Sequence, residues 1–342
     1  MRATVIDAYG PAEVLRVREV PTPEPGADEV LVRLRWAGVN HLEIDVRNGV
    51  AGMPVTLPHI PGTEGVGEIA AVGTDVRRWT PGQRVGTCAF RTCGRCRSCR
   101  LGHANLCADI RTLGVQLPGS YAQYVVVRED QLVAIPDGLC SRAAIASYKL
   151  ATAWEALVET LALQAGETLL VTGAGGGVGV SAVLLARELG ATVIAASGSR
   201  DKHARLLALG ATHVVDYRGE DLRARIRALT DGVGVDAVLD VAAGPVLRDA
   251  IAGCRPGGRV AVVGAHAGEE TPIDMLDLFR RHIAIHGCGR YTARILEAVF
   301  ARLAGGMSPV PVQQVFDLAD AASAHRLIES RNFVGRLLLD CA

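Results

Sequence analysis

The run Thr168 to Thr172 passes directly into Gly-Ala-Gly-Gly-Gly-Val-Gly, Gly173 to Gly179, and then into the apolar stretch Val178 to Leu189. An apolar β-type run, a glycine-rich turn and a helix-forming stretch, in that order, constrain this chain more than any other feature. Glycines let the backbone turn tightly and approach a pyrophosphate, which the partly positive helix N-terminus stabilises. Aligned on Gly179, the turn reads Ala174-x-Gly176-x-x-Gly179, with alanine at the first fingerprint position. Gly176, Gly177, Val178 and Gly179 are therefore the expected phosphate-facing residues. The turn heads an alternation of strands (Thr168 to Thr172, Thr192 to Ala196, His213 to Asp216, Asp236 to Val241, Arg259 to Val263, His282 to Gly287) and helices (Val178 to Leu189, Asp201 to Leu209, Asp221 to Leu229, Pro245 to Cys254). Such interleaving predicts an α/β fold with a doubly wound parallel sheet.

An NAD-specific site usually carries an acid at the end of the second strand, bonding the adenosine ribose. Here that strand ends in Ser197-Gly-Ser199-Arg200-Asp-Lys202. A carboxylate would repel a 2′-phosphate, whereas Ser197, Ser199, Arg200 and Lys202 can bond and neutralise it. NADPH is the expected cofactor. Arg200 or Lys202 taken alone would read equally well as a solvated helix start.

The first 130 residues have a different texture. Val30 to Trp36 and Tyr121 to Val127 suit strands, Pro-Gly pairs punctuate the stretch, and His41 to Asn48 is its one short helix. Within it lies Cys93-x2-Cys96-x2-Cys99-x7-Cys107, in a loop rich in arginine, glycine and serine. That composition predicts no regular element. Four thiolates close around a tetrahedral zinc and leave no position for substrate. One structural zinc per subunit is expected, its net negative charge offset by Arg91, Arg95, Arg97 and Arg100. The remaining cysteines, Cys88, Cys140, Cys254, Cys288 and Cys341, are scattered.

Composition excludes several classes. Thirty-six basic residues balance thirty-six acidic ones, so no global field favours nucleic acid or an anionic membrane. Aromatic residues make up 4%, too few for a base-stacking surface, and no apolar run approaches membrane-spanning length. Nine cysteines behind a start without a secretory pattern point to a reducing compartment, the cytoplasm. The expected domains are 1–130, 131–285 and 286–342.

Ala37-Gly-Val-Asn40-His41, Pro61-Gly-Thr-Glu64-Gly-Val-Gly67, Gly82-Gln-Arg-Val85, Cys93 to Cys107, Gly119-Ser-Tyr-Ala122, Thr152-Ala-Trp154 and Gly176 to Gly179 follow one another in this order. In this the chain resembles, over essentially its whole length, the medium-chain dehydrogenase/reductase superfamily. The resemblance implies a GroES-like β-rich catalytic domain plus a Rossmann domain, with the active site in the cleft between them. It implies a C-terminal segment returning partly to the first domain, and a homodimer joined through the last Rossmann strand. It assigns His41 and Arg336 to the pyrophosphate, Thr152 and Val263 to His266 to the nicotinamide, and Tyr217 to the adenine side.

The departures from the family say more. Its zinc alcohol dehydrogenases hold a catalytic zinc with a cysteine, a histidine and a third cysteine or acid. The corresponding positions here are Asn40, Thr63 and the stretch Ser147 to Lys149, which has no cysteine. Glu64 alone is a poor zinc site. His41 and His59 could in principle supply a nitrogen; His59 reads more simply as a packing residue. The zinc-independent relatives, quinone oxidoreductases and enoyl or alkenal reductases, commonly carry an asparagine at position 40 and an Ala-x-Gly-x-x-Gly turn. The expectation is an NADPH-dependent reductase of an activated C=C bond or a quinone, acting on a small molecule. Asn40 would orient substrate or ribose, and Thr63 would line the pocket as a donor. Glu64 would hold a hydrogen-bond network or serve as a structural carboxylate paired with a base. The proton donor stays open among Tyr148, Lys149 and Tyr291. Two alternatives remain: a zinc-type dehydrogenase of alcohols, aldehydes or ketones, and a cofactor-binding protein without turnover.

Overall fold

Near-continuous valine, leucine, isoleucine and alanine runs such as Leu169 to Val171 and Val193 to Ala196 are buried on both faces, as strands sandwiched between helices must be. In the computed structural model, which describes every residue except Ala51, Gly52 and Pro54, they build a six-stranded parallel sheet. Its spatial order is His213–Asp216, Thr192–Ser197, Thr168–Val171, Val235–Asp240, Cys254–Val262, Ala284–Gly287. Numbered along the chain this is 3-2-1-4-5-6, the Rossmann order, with its switch point between Thr168–Val171 and Val235–Asp240. The helices Gly177–Glu188, His203–Ala208, Leu222–Leu229 and Gly244–Ala252 connect successive strands. This sheet belongs to a unit formed by Lys149–Gly289 with Phe333–Gly335.

The other unit comprises Met1–Tyr148, Arg290–Asn332 and Arg336–Ala342, so it runs past the expected limit at residue 130. Its sheet centres on the long strand Glu29–Val39, paired antiparallel with Gly65–Val72 on one side and Arg336–Asp340 on the other. Leu337 faces Val39 and Ala37 faces Gly65, so this register brings Asn40, Glu64 and Arg336 to one end of the sheet. Val312–Asp317 adds a parallel edge strand beyond Arg336–Asp340, and Tyr124–Arg128 also pairs with Glu29–Val39.

One feature differs from the sequence expectation and two add to it. The cysteine loop does contain regular elements, a helical turn at Arg97–Arg100 and a 3-10 turn at Ala104–Leu106. The last fifty residues hold a strand, Val312–Asp317, and a helix, Ala321–Ser330, besides Ala293–Ala304 and the closing strand. Short helices Ser141–Ala146 and Lys149–Trp154 precede the parallel sheet. The run Gly49 to Pro58, in which the sequence carries no motif, includes the three residues outside those described. Among the described residues no helix is long and apolar enough to cross a membrane.

Candidate functional site

In the GroES-like unit, Asn40 is the N-cap of the helix His41–Asn48 and Glu43 is its third residue. Glu43 reaches back so that its Oε2 accepts from the Asn40 amide at 2.8 Å. Its Oε1 accepts from the Thr63 amide at 2.9 Å, the Thr63 hydroxyl at 2.6 Å and Asn40 Nδ2 at 3.3 Å. Arg336 then closes the cluster. Its Nη1 donates to Asn40 Oδ1 at 2.7 Å and its Nη2 to Glu64 Oε2. Both members of this ion pair are buried. Gly38 makes room for it, because a Cβ there would overlap Glu64 Oε2 and Arg336 Nη2.

These contacts redefine several expectations. The base paired with Glu64 is Arg336, whose two terminal nitrogens are engaged by Glu64 and Asn40; this geometry speaks against the pyrophosphate role implied by resemblance. The Thr63 hydroxyl already gives its proton to Glu43 and does not offer it outward. Tyr148 is fully buried, donates to the Gly65 carbonyl at 2.8 Å and packs its edge against Phe300. That makes it a packing residue. Ser147 Oγ accepts from the Val310 amide at 3.2 Å. Glu43, the organiser of the set, was not anticipated, although Asn-x-x-Glu ahead of a helix is a capping-box signal legible in sequence.

A catalytic zinc does not fit here. The donors at the three ligand positions are an amide, a hydroxyl held by a carboxylate, and a hydroxyl held by an amide. Of the two acids, Glu64 already has a guanidinium against it, and Glu43 is taken up by Asn40 and Thr63. The cysteine lobe is the opposite case. Among the described residues Cys93, Cys96, Cys99 and Cys107 form the one metal-competent group, with all Sγ atoms within 4.8 Å of one another. Thiolates about 2.3 Å from zinc lie ~3.8 Å apart at tetrahedral corners, and Cys96 and Cys99 Sγ are separated by 3.5 Å. Amides of Cys93 and Cys96 donate to Cys107 and Cys93 Sγ at 3.3 Å, which favours thiolates. Of the arginines expected to offset the charge, Arg91 is paired with Glu29 instead. Arg128, from outside the lobe, donates to the Thr92 carbonyl at 3.0 Å.

In the Rossmann unit the glycine turn fits a dinucleotide pyrophosphate. Gly176 caps the helix Gly177–Glu188, and a Cβ on it would meet almost nothing. A Cβ on Gly179 would fall 2.5 Å from Ala174 Cα, so glycine permits the close strand–helix approach. Val178 lies in the first turn of that helix. Ser197 ends its strand, and its Oγ contacts Ser199 N at 3.3 Å. Arg200 Nε donates to Asp216 Oδ2 at 3.1 Å, leaving the guanidinium largely exposed. The Tyr217 ring lies 3.0 Å and Arg218 Nε 2.9 Å from where a Gly198 Cβ would sit. Arg218 was missed; it adds a cation beside Ser197 and Arg200. Lys202 packs over Gly175 of the turn. Thr152 is buried in its helix, and the Val263 amide donates to the Asp240 carbonyl at 2.9 Å. Asp240, at the switch point, accepts from Thr172 and the Ala243 amide, and burial pushes its carboxyl up. His41 opens its helix and is half-buried. His59 Nε2 bonds the Gly114 carbonyl at 2.9 Å, a packing contact.

Beside the Asn40 cluster lies a buried chain, Tyr121–His325–Arg47. Arg47 Nη1 is 3.4 Å from His325 Nδ1 and His325 Nε2 is 3.1 Å from Tyr121 Oη. Because guanidinium can only donate, Nδ1 must accept and Nε2 carries the hydrogen. Burial first, then the charges of Arg47 and His41, push His325 down to about 3.

Two outcomes follow. Metal analysis should find about one zinc per chain, and Cys96→Ser should release it. The unfolded state binds a proton on His325 near the ordinary histidine value of ~6.5, whereas the folded state resists it until about 3. Stability therefore falls as pH drops through that window. Urea unfolding at several pH values should show His325→Gln reducing that slope by up to ~1.4 kcal/mol per pH unit.

Comparison with known proteins agrees with this architecture. A profile of the alcohol dehydrogenase GroES-like domain matches residues 26–137, and one of zinc-binding dehydrogenases matches residues 177–305. A sorbitol dehydrogenase of Bacillus subtilis (strain 168) is 33% identical over 282 residues, covering 81% of this chain and 79% of its own. The crystal structure of an NAD-dependent alcohol dehydrogenase matches 100% of both chains with a TM-score of 0.93 and 37% identity. A crotonyl-CoA carboxylase/reductase in complex with NADP matches 99% of this chain and 94% of its own, with a TM-score of 0.91 and 25% identity. The chain therefore belongs to the medium-chain dehydrogenase/reductase superfamily, in its zinc-type alcohol dehydrogenase-like branch, and is an NAD(P)-dependent oxidoreductase.

Proposed function

We propose that the protein is an NADPH-dependent reductase of activated C=C bonds, in enones or enoyl compounds, or of quinones, and that it works without a catalytic zinc. One observation carries this reading: the Arg336 guanidinium lies between Asn40, one of the positions from which the zinc-type relatives grip their metal, and Glu64, the neighbour of a second, Thr63. Guanidinium supplies positive charge but no open coordination position, so it cannot bind an alkoxide as zinc does. Reducing a conjugated double bond puts charge on an enolate or hydroquinone oxygen, which hydrogen bonds can stabilise. Bound NADPH would supply the hydride. Gly176, Gly177, Val178 and Gly179 would seat its pyrophosphate, with His41 near it. Thr152 and Val263 would flank the nicotinamide and Tyr217 the adenine. Ser197, Ser199, Arg200, Lys202 and Arg218 would hold the 2′-phosphate. Asn40, locked by Glu43 and Thr63, would present a rigid polar floor. The crotonyl-CoA carboxylase/reductase, in complex with NADP, supports both halves of the reading. The relatives named sorbitol and NAD-dependent alcohol dehydrogenase favour a second reading, oxidation of an alcohol.

The test is cofactor turnover across a panel of enones, quinones, aldehydes and secondary alcohols. Enones or quinones should consume NADPH while alcohols stay unoxidised. Alcohol oxidation together with a second zinc would overturn the proposal. Arg200→Ala and Arg218→Ala should each weaken NADPH about 10-fold or more and leave NADH nearly unchanged in fluorescence titration.

We further infer a homodimer. The strand Ala284–Gly287 pairs on one side only, with Cys254–Val262, and nearby Met275, Leu276 and Phe279 are 63%, 56% and 60% exposed. An unpaired edge beside an apolar face is a docking surface for a second copy. Sedimentation should report dimers that Phe279→Asp converts to monomers. Nine unpaired cysteines support a cytoplasmic location.

A further inference from the structure

Reduction of an enone or quinone needs a donor aimed at the oxygen on which charge develops, and Asn40, Thr63 and Tyr148 are already committed. Asn40 Nδ2 points to Glu43 and Thr63. The Thr63 hydroxyl gives its hydrogen to Glu43, and the Tyr148 hydroxyl gives its hydrogen to Gly65 O. Tyr121 Oη accepts from His325 Nε2 in the buried chain described above. Tyr291 differs from all of these. The residue is 3% exposed, and its Oη is the one buried hydroxyl among the described residues with no hydrogen-bond partner. Its ring is fixed edge-on to Phe90, with centroids 5.6 Å apart. A buried hydroxyl left unpaired is unfavourable unless a ligand or water completes it.

We propose that Tyr291 is a catalytic residue, donating the hydrogen bond that stabilises the oxyanion formed on the carbonyl or quinone oxygen of the acceptor. The proposal rests on the reductase reading above. For an enone, the hydride forms a new C–H bond at the β-carbon, the C=C π pair shifts toward the carbonyl carbon, and the C=O π pair moves onto oxygen. The Tyr291 O–H bonds that oxygen as its charge grows. It stabilises the enolate without surrendering its proton. Burial first, then the negative potential of Cys88, Glu64 and Tyr148, holds this phenol well above its usual range. The proton that completes the product at the α-carbon comes from water.

Tyr291→Phe removes one oxygen and leaves the ring. With the best enone or quinone, kcat should fall about 100- to 1000-fold, NADPH affinity should be unchanged, and the urea midpoint should stay level or rise. A second readout does not depend on turnover. The NADP⁺-loaded enzyme should bind 4-nitrophenol as its phenolate, seen by absorbance, and Tyr291→Phe should bind that phenolate at least ~10-fold more weakly. A variant kcat within twofold of wild type, or equal phenolate affinity, would overturn the assignment. If the wild-type enzyme reduces no enone or quinone, the reductase reading falls and the phenolate titration alone decides the role of Tyr291.

Discussion

The buried pair of Arg336 and Glu64 organises the GroES-like unit. Removing two charges from water costs several kcal/mol for each ion, and only good geometry with further hydrogen bonds offsets that. Here the offset comes from a shared set of partners. Asn40 accepts from the guanidinium, Glu43 holds the Asn40 backbone and amide, and Thr63 hangs from the same carboxylate. Loss of Arg336 alone would strand Glu64 in the interior; loss of both would remove the device altogether.

The same pair sets the chemistry the pocket can support. A zinc ion and a guanidinium share a sign, but the guanidinium's five N–H groups are directional donors and none can be replaced by a substrate oxygen. Both of its terminal nitrogens are taken by Asn40 and Glu64, so Arg336 fixes these two side chains in place. Gly38 is part of the arrangement, since any larger residue would occupy the space in which the pair forms.

Much of this was legible in the sequence, for physical reasons. The parallel strands appeared within a few residues of their observed limits because the inner ones are buried on both faces and glycines or helices bound them all; even His213–Asp216, at one edge, matched residue for residue. The cysteine spacing brought its four sulfur atoms together because short loops leave little freedom. Less visible were elements whose stability comes from a distant partner. Val312–Asp317 is half polar and exposed along much of its length, and it is a strand because Arg336–Asp340 pairs with it. The engagement of Arg336 with Glu64 spans 272 residues, beyond any periodicity or motif. Glu43 was within reach of local reasoning, because capping geometry alone returns its side chain to Asn40.

That long span has a bearing on biosynthesis. Glu64 leaves the ribosome early, whereas its counter-charge lies near the end of the sequence, on a strand that must slot in beside Glu29–Val39. Until then the acid has no buried cation and is better left hydrated, so the amino-terminal lobe stays unsealed while the nucleotide-binding lobe is translated and folds. Only when the closing strand docks can the buried pair form, which ties final maturation of the GroES-like unit to nearly complete synthesis of the polypeptide.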